Sequence, residues 1–202
     1  MLKERYLSGD CFHPEEAADR LFQFTYGWPW DKLYRMDLIR EKQIAFPELP
    51  NSEDLVFVFQ SLAFADRIAL LDKLLVHHRV NRMQSVSNSR RFNPEAPYRA
   101  ATLLRAALEQ RGLYKTFERS FLGWAMNFLV WNVASIGEKE TQKRYFKKLK
   151  REWLVQMGFD AHPRAYYEDR FAYAKYVLVK WFPYPVFSAV LAGYGVWKQR
   201  KV

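Results

Sequence analysis

Apolar residues recur at three-and-four spacing over four stretches in the second half of the chain, 94–110, 113–134, 138–157 and 163–181, and this period predicts four helices. The first half is less regular. His13-Pro14-Glu15-Glu16 reads as a helix start, with proline tolerated in the first turn and acids suited to the dipole, and the helix can continue through Thr25. Gly27 and Pro29 break it. Residues 30–34 then alternate apolar and polar, a short-strand pattern, and 37–42 return to helical character. Pro47 and Pro50 bracket a loop that leads to NSEDLVFVF at 51–59, where Asn51 or Ser52 is a good N-cap for a buried helix over 53–65. Two short apolar segments follow, 67–71 and 74–80, split by Asp72-Lys73, which reads as a turn between strands. The pattern thus predicts an α+β first part, residues 1–92, and a mostly helical extension, 93–202.

Composition changes this picture little. At 202 residues the chain can bury a real core, and half of its residues are hydrophobic. The single cysteine, Cys11, rules out an internal disulfide and a zinc cluster built on cysteines, and it fits a reducing compartment. The N-terminus lacks the continuous apolar stretch of a secretory leader.

Charge placement adds more. Residues 1–137 hold 18 basic and 16 acidic residues, whereas 138–202 hold 14 and 6, so most of the net +10 lies in the last third. The segment KRYFKKLKR at 143–151 is a basic stripe suited to anionic lipid headgroups, with a solvated helix face as the plain alternative. Residues 181–197, WFPYPVFSAVLAGYGVW, carry no charge over 17 positions. That is shorter than the about 20 residues a spanning helix needs. Its Trp and Tyr content and basic flanks suit a helix lying at a membrane surface, and a helix packed in the core is the alternative.

The candidate chemistry centres on Glu53 and Asp54. Acids in a first helical turn are ordinary, since each stabilises the helix by roughly 0.3–1 kcal/mol. Their neighbourhood in sequence is less ordinary. Trp30-Asp31-Lys32-Leu33-Tyr34-Arg35 lies upstream and His77-His78-Arg79-Val80-Asn81-Arg82-Met83-Gln84-Ser85 downstream, each combining rings with fixed positive charge. Rings can stack on a sugar or base, and cations can neutralise phosphates. The four histidines form no HxxxH or HExxH pattern, and there is no GxSxG, GxGxxG, phosphate-loop or DxD motif.

The order WPWDKLYRMDLI, then FPELPNSEDLVFVFQSLAFADRIALLDKLLVHHRVNRMQS, resembles the second half of family 2 glycosyltransferases of the GT-A fold, of the bacterial capsule and exopolysaccharide type. The likeness covers residues 28–87. It implies that residues 1–92 are the acceptor-side half of a GT-A domain. Asp54 would be the general base that deprotonates an acceptor hydroxyl as it inverts the anomeric carbon, and Glu53 its support. Trp30 and Lys32 would line the site, His78 and Arg79 would face the diphosphate or metal side, and Arg82 and Ser85 would sit in a trailing loop that closes over the donor.

The resemblance further implies a nucleotide-sugar donor, a saccharide or lipid-linked acceptor, and a divalent metal, Mg or Mn, in the complete enzyme. With no DxD and no nucleotide-binding βαβ pattern, the metal site is expected to be incomplete in this chain, and the isolated chain is expected to be inactive. The implied location is cytoplasmic, peripheral on the inner face of the plasma membrane. An orphaned strand edge would favour self-association. Two other classes compete: a non-catalytic membrane-surface or assembly protein derived from that family, and a basic nucleic-acid-binding module. Against the latter, the acids at 53 and 54 would repel phosphate, so no nucleic-acid partner is expected.

Overall fold

A computed structural model describes the protein over residues 11–71, 73–74, 76–77 and 93–199, the last of these, 194–199, by backbone alone. The described residues are mostly helical, with one two-strand antiparallel sheet. Strand β1 (Cys11–Phe12) leads into two 3-10 turns, Pro14–Ala17 and Leu21–Gln23. Helices α1 (Met36–Glu41) and α2 (Glu53–Phe64) follow, then β2 (Ile68–Ala69). The long helices are α3 (Ala96–Gln110) and α4 (Tyr114–Ala134). Helix α5 (Lys139–Lys148) runs through a π turn, Leu149–Trp153, into a last turn, α6 (Leu154–Gln156). Helices α7 (Arg170–Trp181) and α8 (Tyr184–Gln199) complete the chain.

Local chemistry explains the helix ends. Gly112 adopts φ +69°, a conformation that costs a glycine little, and the Leu113 amide reaches back 2.9 Å to the Leu108 carbonyl. The Glu138 carboxylate accepts from the amides of Glu140 and Thr141 at 2.8 and 2.7 Å, capping α5; bonding to the Thr141 side chain first, and then to these amides, holds its carboxyl below the usual range. Asp169 caps α7 by accepting from the Phe171 amide at 2.8 Å.

Helix α4 is the hub. Phe117, Phe121, Ala125, Met126 and Leu129 are fully buried along it. It packs against α3 and α7, and α3 in turn packs against α2. One apolar core therefore runs without interruption from Phe12 to Phe187, shared by the segments before and after residue 92. The 3-10 turn Leu21–Gln23 is fastened to α4 twice. Phe22 lies against Phe117 and Trp124, and its amide donates to the buried Ser120 Oγ at 2.8 Å. Arg119 adds a tie from the same helix to Asp19 at 2.6 Å and to the Tyr166 carbonyl at 2.9 Å. Ser120→Ala would leave the Phe22 amide buried without its partner, and urea denaturation is expected to read a loss of about 1–3 kcal/mol.

The first part departs from the pattern reading in four places. The helix expected from His13 to Thr25 is two separate 3-10 turns. The strand expected over 30–34 is a loop. From this loop Lys32 Nζ reaches back to donate to the carbonyls of Tyr26 and Trp28 at 3.0 and 2.9 Å and also pairs with Asp31. The segment 67–71 does contain a strand, Ile68–Ala69, but it pairs with Cys11–Phe12 rather than with 74–80. Residues 74, 76 and 77 are not strand, and the remainder of that stretch lies outside the described residues. Finally, Ser52 does not cap α2. It takes φ +68°, and its hydroxyl donates to Asn51 Oδ1 at 3.0 Å instead of accepting from the helix. The GT-A sheet is not among the described residues, which hold one small two-strand sheet.

Candidate functional site

The loop from Tyr26 to Tyr34 and the first turn of α2 form one continuous locality. Gly27 packs directly on Leu55: a Cβ at Gly27 would lie 2.0 Å from Leu55 Cδ2 and 3.3 Å from its Cα, so only glycine permits this approach. The Tyr34 ring meets Phe57 of α2 at 5.1 Å, edge to face. The acids Asp31 and Asp54 both act on the Tyr34 phenol. Burial first, then these two charges, push its ionisation well above the ordinary tyrosine range. The Tyr34 hydroxyl is buried without a hydrogen-bond partner among the described residues.

The loop displays three aromatic rings as a ladder. Tyr26 stacks on Trp28 with centroids 4.5 Å apart and planes 20° apart, and Trp28 stacks on Trp30 at 4.9 Å and 16°. All three are exposed, Tyr26 by 57% and each tryptophan by 38%. Large rings ordinarily lie in a core, so three stacked and partly exposed rings on one loop are an unusual surface feature. Lys32 is what holds it. Its ammonium bonds the carbonyls of Tyr26 and Trp28 and the Asp31 carboxylate, so it shapes the platform from beneath. Burial lowers its pKa, opposed by Asp31.

Asp54 occupies the first turn of α2, next to Glu53. Its carboxyl is pushed above the ordinary aspartate range, by burial first and by the Glu53 charge second. The helix N-terminus favours the charged form, yet the balance falls towards the proton. Asp54 is thus a stronger base than a free aspartate and stands on a rigid mount. Among the described residues, no group of three or more His, Cys, Asp or Glu side chains is placed to hold a metal.

Trp30 and Lys32 therefore lie on the loop that meets α2 through Gly27–Leu55 and Tyr34–Phe57, and Glu53 and Asp54 lie in the first turn of that helix. His78, Arg79, Arg82 and Ser85 lie outside the described residues, while neighbouring His77 is exposed. Tyr26, Trp28 and Tyr34 join the site without having been singled out from sequence. The signal for the first two was present: rings at 26, 28 and 30 have a period of two. The strand pattern expected from the sequence begins only at 30, and Gly27 and Pro29 read as breaks, so the two earlier rings fall outside it. No protein-family model, no curated protein and no solved structure matches this chain.

Proposed function

We propose that this chain binds a saccharide acceptor on the Tyr26–Trp28–Trp30 ladder and serves as the acceptor side of an inverting glycosyltransferase, with Asp54 as its base. The observation that carries this reading is a partly exposed ring stack on a loop that packs against α2 through Gly27 and Tyr34, with a half-buried carboxyl of raised pKa in the first turn of that helix. The apolar face of a pyranose suits such rings, and the sugar's hydroxyls then project past the ring edges, where a carboxylate can reach one.

A sugar hydroxyl is a very weak acid, so its base must sit within hydrogen-bond reach, about 2.6–3.2 Å. In the proposed step the acceptor oxygen attacks the anomeric carbon of a nucleotide sugar. Asp54 takes its proton, and the nucleoside diphosphate leaves from the opposite face. Burial first, and then the Glu53 charge, keep the Asp54 pKa high. Donor and divalent metal would be held by residues outside this site, and Mg or Mn would supply charge neutralisation of the leaving diphosphate.

Tryptophan fluorescence titrated with a panel of neutral oligosaccharides tests the reading. A saturable change with saccharide and none with a single-stranded oligonucleotide is expected. A salt-dependent response to the oligonucleotide alone would instead favour a nucleic-acid module.

A further inference from the structure

Helix α8 is fastened on one side and bare on the other. Phe187 is fully buried against Phe146 of α5, with ring centroids 4.6 Å apart. The Tyr184 hydroxyl donates to Gln142 Oε1 at 2.7 Å. The outward face carries Pro185, Val186, Ala189 and Val190, all exposed, and the corner before it exposes Trp181 by 72% and Phe182 by 43%. No charged residue occurs between Lys180 and Lys198. Soluble surfaces seldom leave so continuous an apolar strip uncovered.

What covers it is indicated by the charges beside it. The helical run from 139 to 156, on which α8 lies, has seven basic and two acidic residues. Gln142 and Phe146 mark the face turned to α8, and Lys139, Lys143 and Lys150 share that face by their three-, four- and seven-residue spacing. Two contacts place this seam. Lys150 Nζ donates to the Phe182 carbonyl at 3.0 Å, and the Lys139 carbonyl lies 3.4 Å from the Tyr184 hydroxyl. Lys143 has only a distant acid, Glu140 at 3.9 Å. Pairing two copies strip to strip would bring these lysine seams together and repel. Among the described residues no helix is long and apolar enough to cross a membrane. An apolar strip edged by lysines, with Trp and Tyr at its start, instead matches the boundary between acyl chains and anionic headgroups.

We propose that the α7–α8 corner and the outward face of α8 dock on an anionic lipid bilayer, with α8 lying in the plane of the interface and Lys139 and Lys143 over the headgroups. The surface is independent of the ring ladder, so saccharide binding and membrane binding can fail separately.

Flotation of the full chain with phosphatidylcholine vesicles, with and without phosphatidylglycerol, is the test. Binding to the anionic vesicles that weakens with salt is expected. Val186→Glu/Val190→Glu should lower it at least about tenfold, since two apolar contacts with the bilayer are lost. Lys139→Gln and Lys143→Gln should each cost about fivefold. These side chains lie at the surface, so circular dichroism should show both sets of variants folded. Wild-type chain that stays off anionic vesicles, or Val186→Glu/Val190→Glu that binds as wild type does, would overturn the proposal. So would a dimer, seen by size exclusion, that this double variant dissociates while vesicles bind neither form.

Discussion

Asp54→Asn is expected to lower sugar transfer by a factor of about 100 to 10,000, the usual contribution of a positioned general base. The assay joins this chain to a donor-binding half with nucleotide sugar and divalent metal. Asparagine keeps the shape of the side chain but cannot take the acceptor proton. Acceptor affinity should change little, because the proposal places the acceptor on the ring ladder. The loss therefore falls on turnover rather than on KM. Undiminished turnover would remove Asp54 from the chemistry.

The same substitution has an opposite effect on stability. Burial, and then Glu53, raise the Asp54 pKa in the folded chain, so the native state holds this proton more tightly than the unfolded chain does. The contribution of Asp54 to stability is then full below the ordinary aspartate value, about 3.9, and is lost as pH rises through the folded-state value. Asparagine does not titrate. Asp54→Asn should thus be more stable than wild type at neutral pH, and the gain should vanish in acid. A variant that gains stability and loses turnover marks a residue kept for function at the expense of the fold. Thermal melts at neutral and acid pH measure this difference.

Phe22→Ala is expected to have the largest effect on stability, about 3–5 kcal/mol. Its ring is 1% exposed and lies 5.1 Å from Phe59 of α2, 6.0 Å from Phe117 and 6.5 Å from Trp124 of α4. It thus joins the segment before residue 92 to the helices after it. Such a loss is a large part of the about 5–15 kcal/mol that holds a typical domain. Tyr26 begins the ring ladder four residues further on, so saccharide binding should weaken together with the fold. In urea, tryptophan fluorescence and far-UV circular dichroism should report one shared transition, shifted down in the variant. Two separate transitions, or an unshifted midpoint, would contradict a core shared across residue 92.

The long helices were legible because their apolar residues repeat at helical spacing and their ends carry local signals. Glu138 and Asp169 supply caps, and Gly112 a left-handed turn, without help from distant residues. Helix α2 was legible for a related reason, an apolar run entered through two acids. Its cap was not, because Ser52 is drawn into a left-handed turn and its hydroxyl is taken by Asn51. The strands misled because alternation reports only which way side chains face. At 26–34 the loop is tied by the Lys32 ammonium, which donates to the carbonyls of Tyr26 and Trp28, bonds that periodicity does not encode. The pairing of Ile68 with Phe12 joins residues far apart in sequence, and neither segment names its partner. For the site, Asp54 and Trp30 were visible as residue types in a suggestive order. The raised Asp54 pKa depends first on burial, and that of the Tyr34 phenol on burial and then on Asp31 and Asp54, a setting that only folding supplies.

The central claim is that the Tyr26–Trp28–Trp30 ladder receives a saccharide. Saturation-transfer NMR with an oligosaccharide that the chain binds, on wild type, Trp28→Ala and Trp30→Ala, tests it most directly. A pyranose face covering about 80 Å² of ring is worth about 2 kcal/mol, or about 30-fold in affinity. The predicted result is transfer to the sugar's ring protons in wild type, and binding about 30-fold weaker in either variant while both remain folded. Saccharide signals of equal strength in all three proteins would contradict the account.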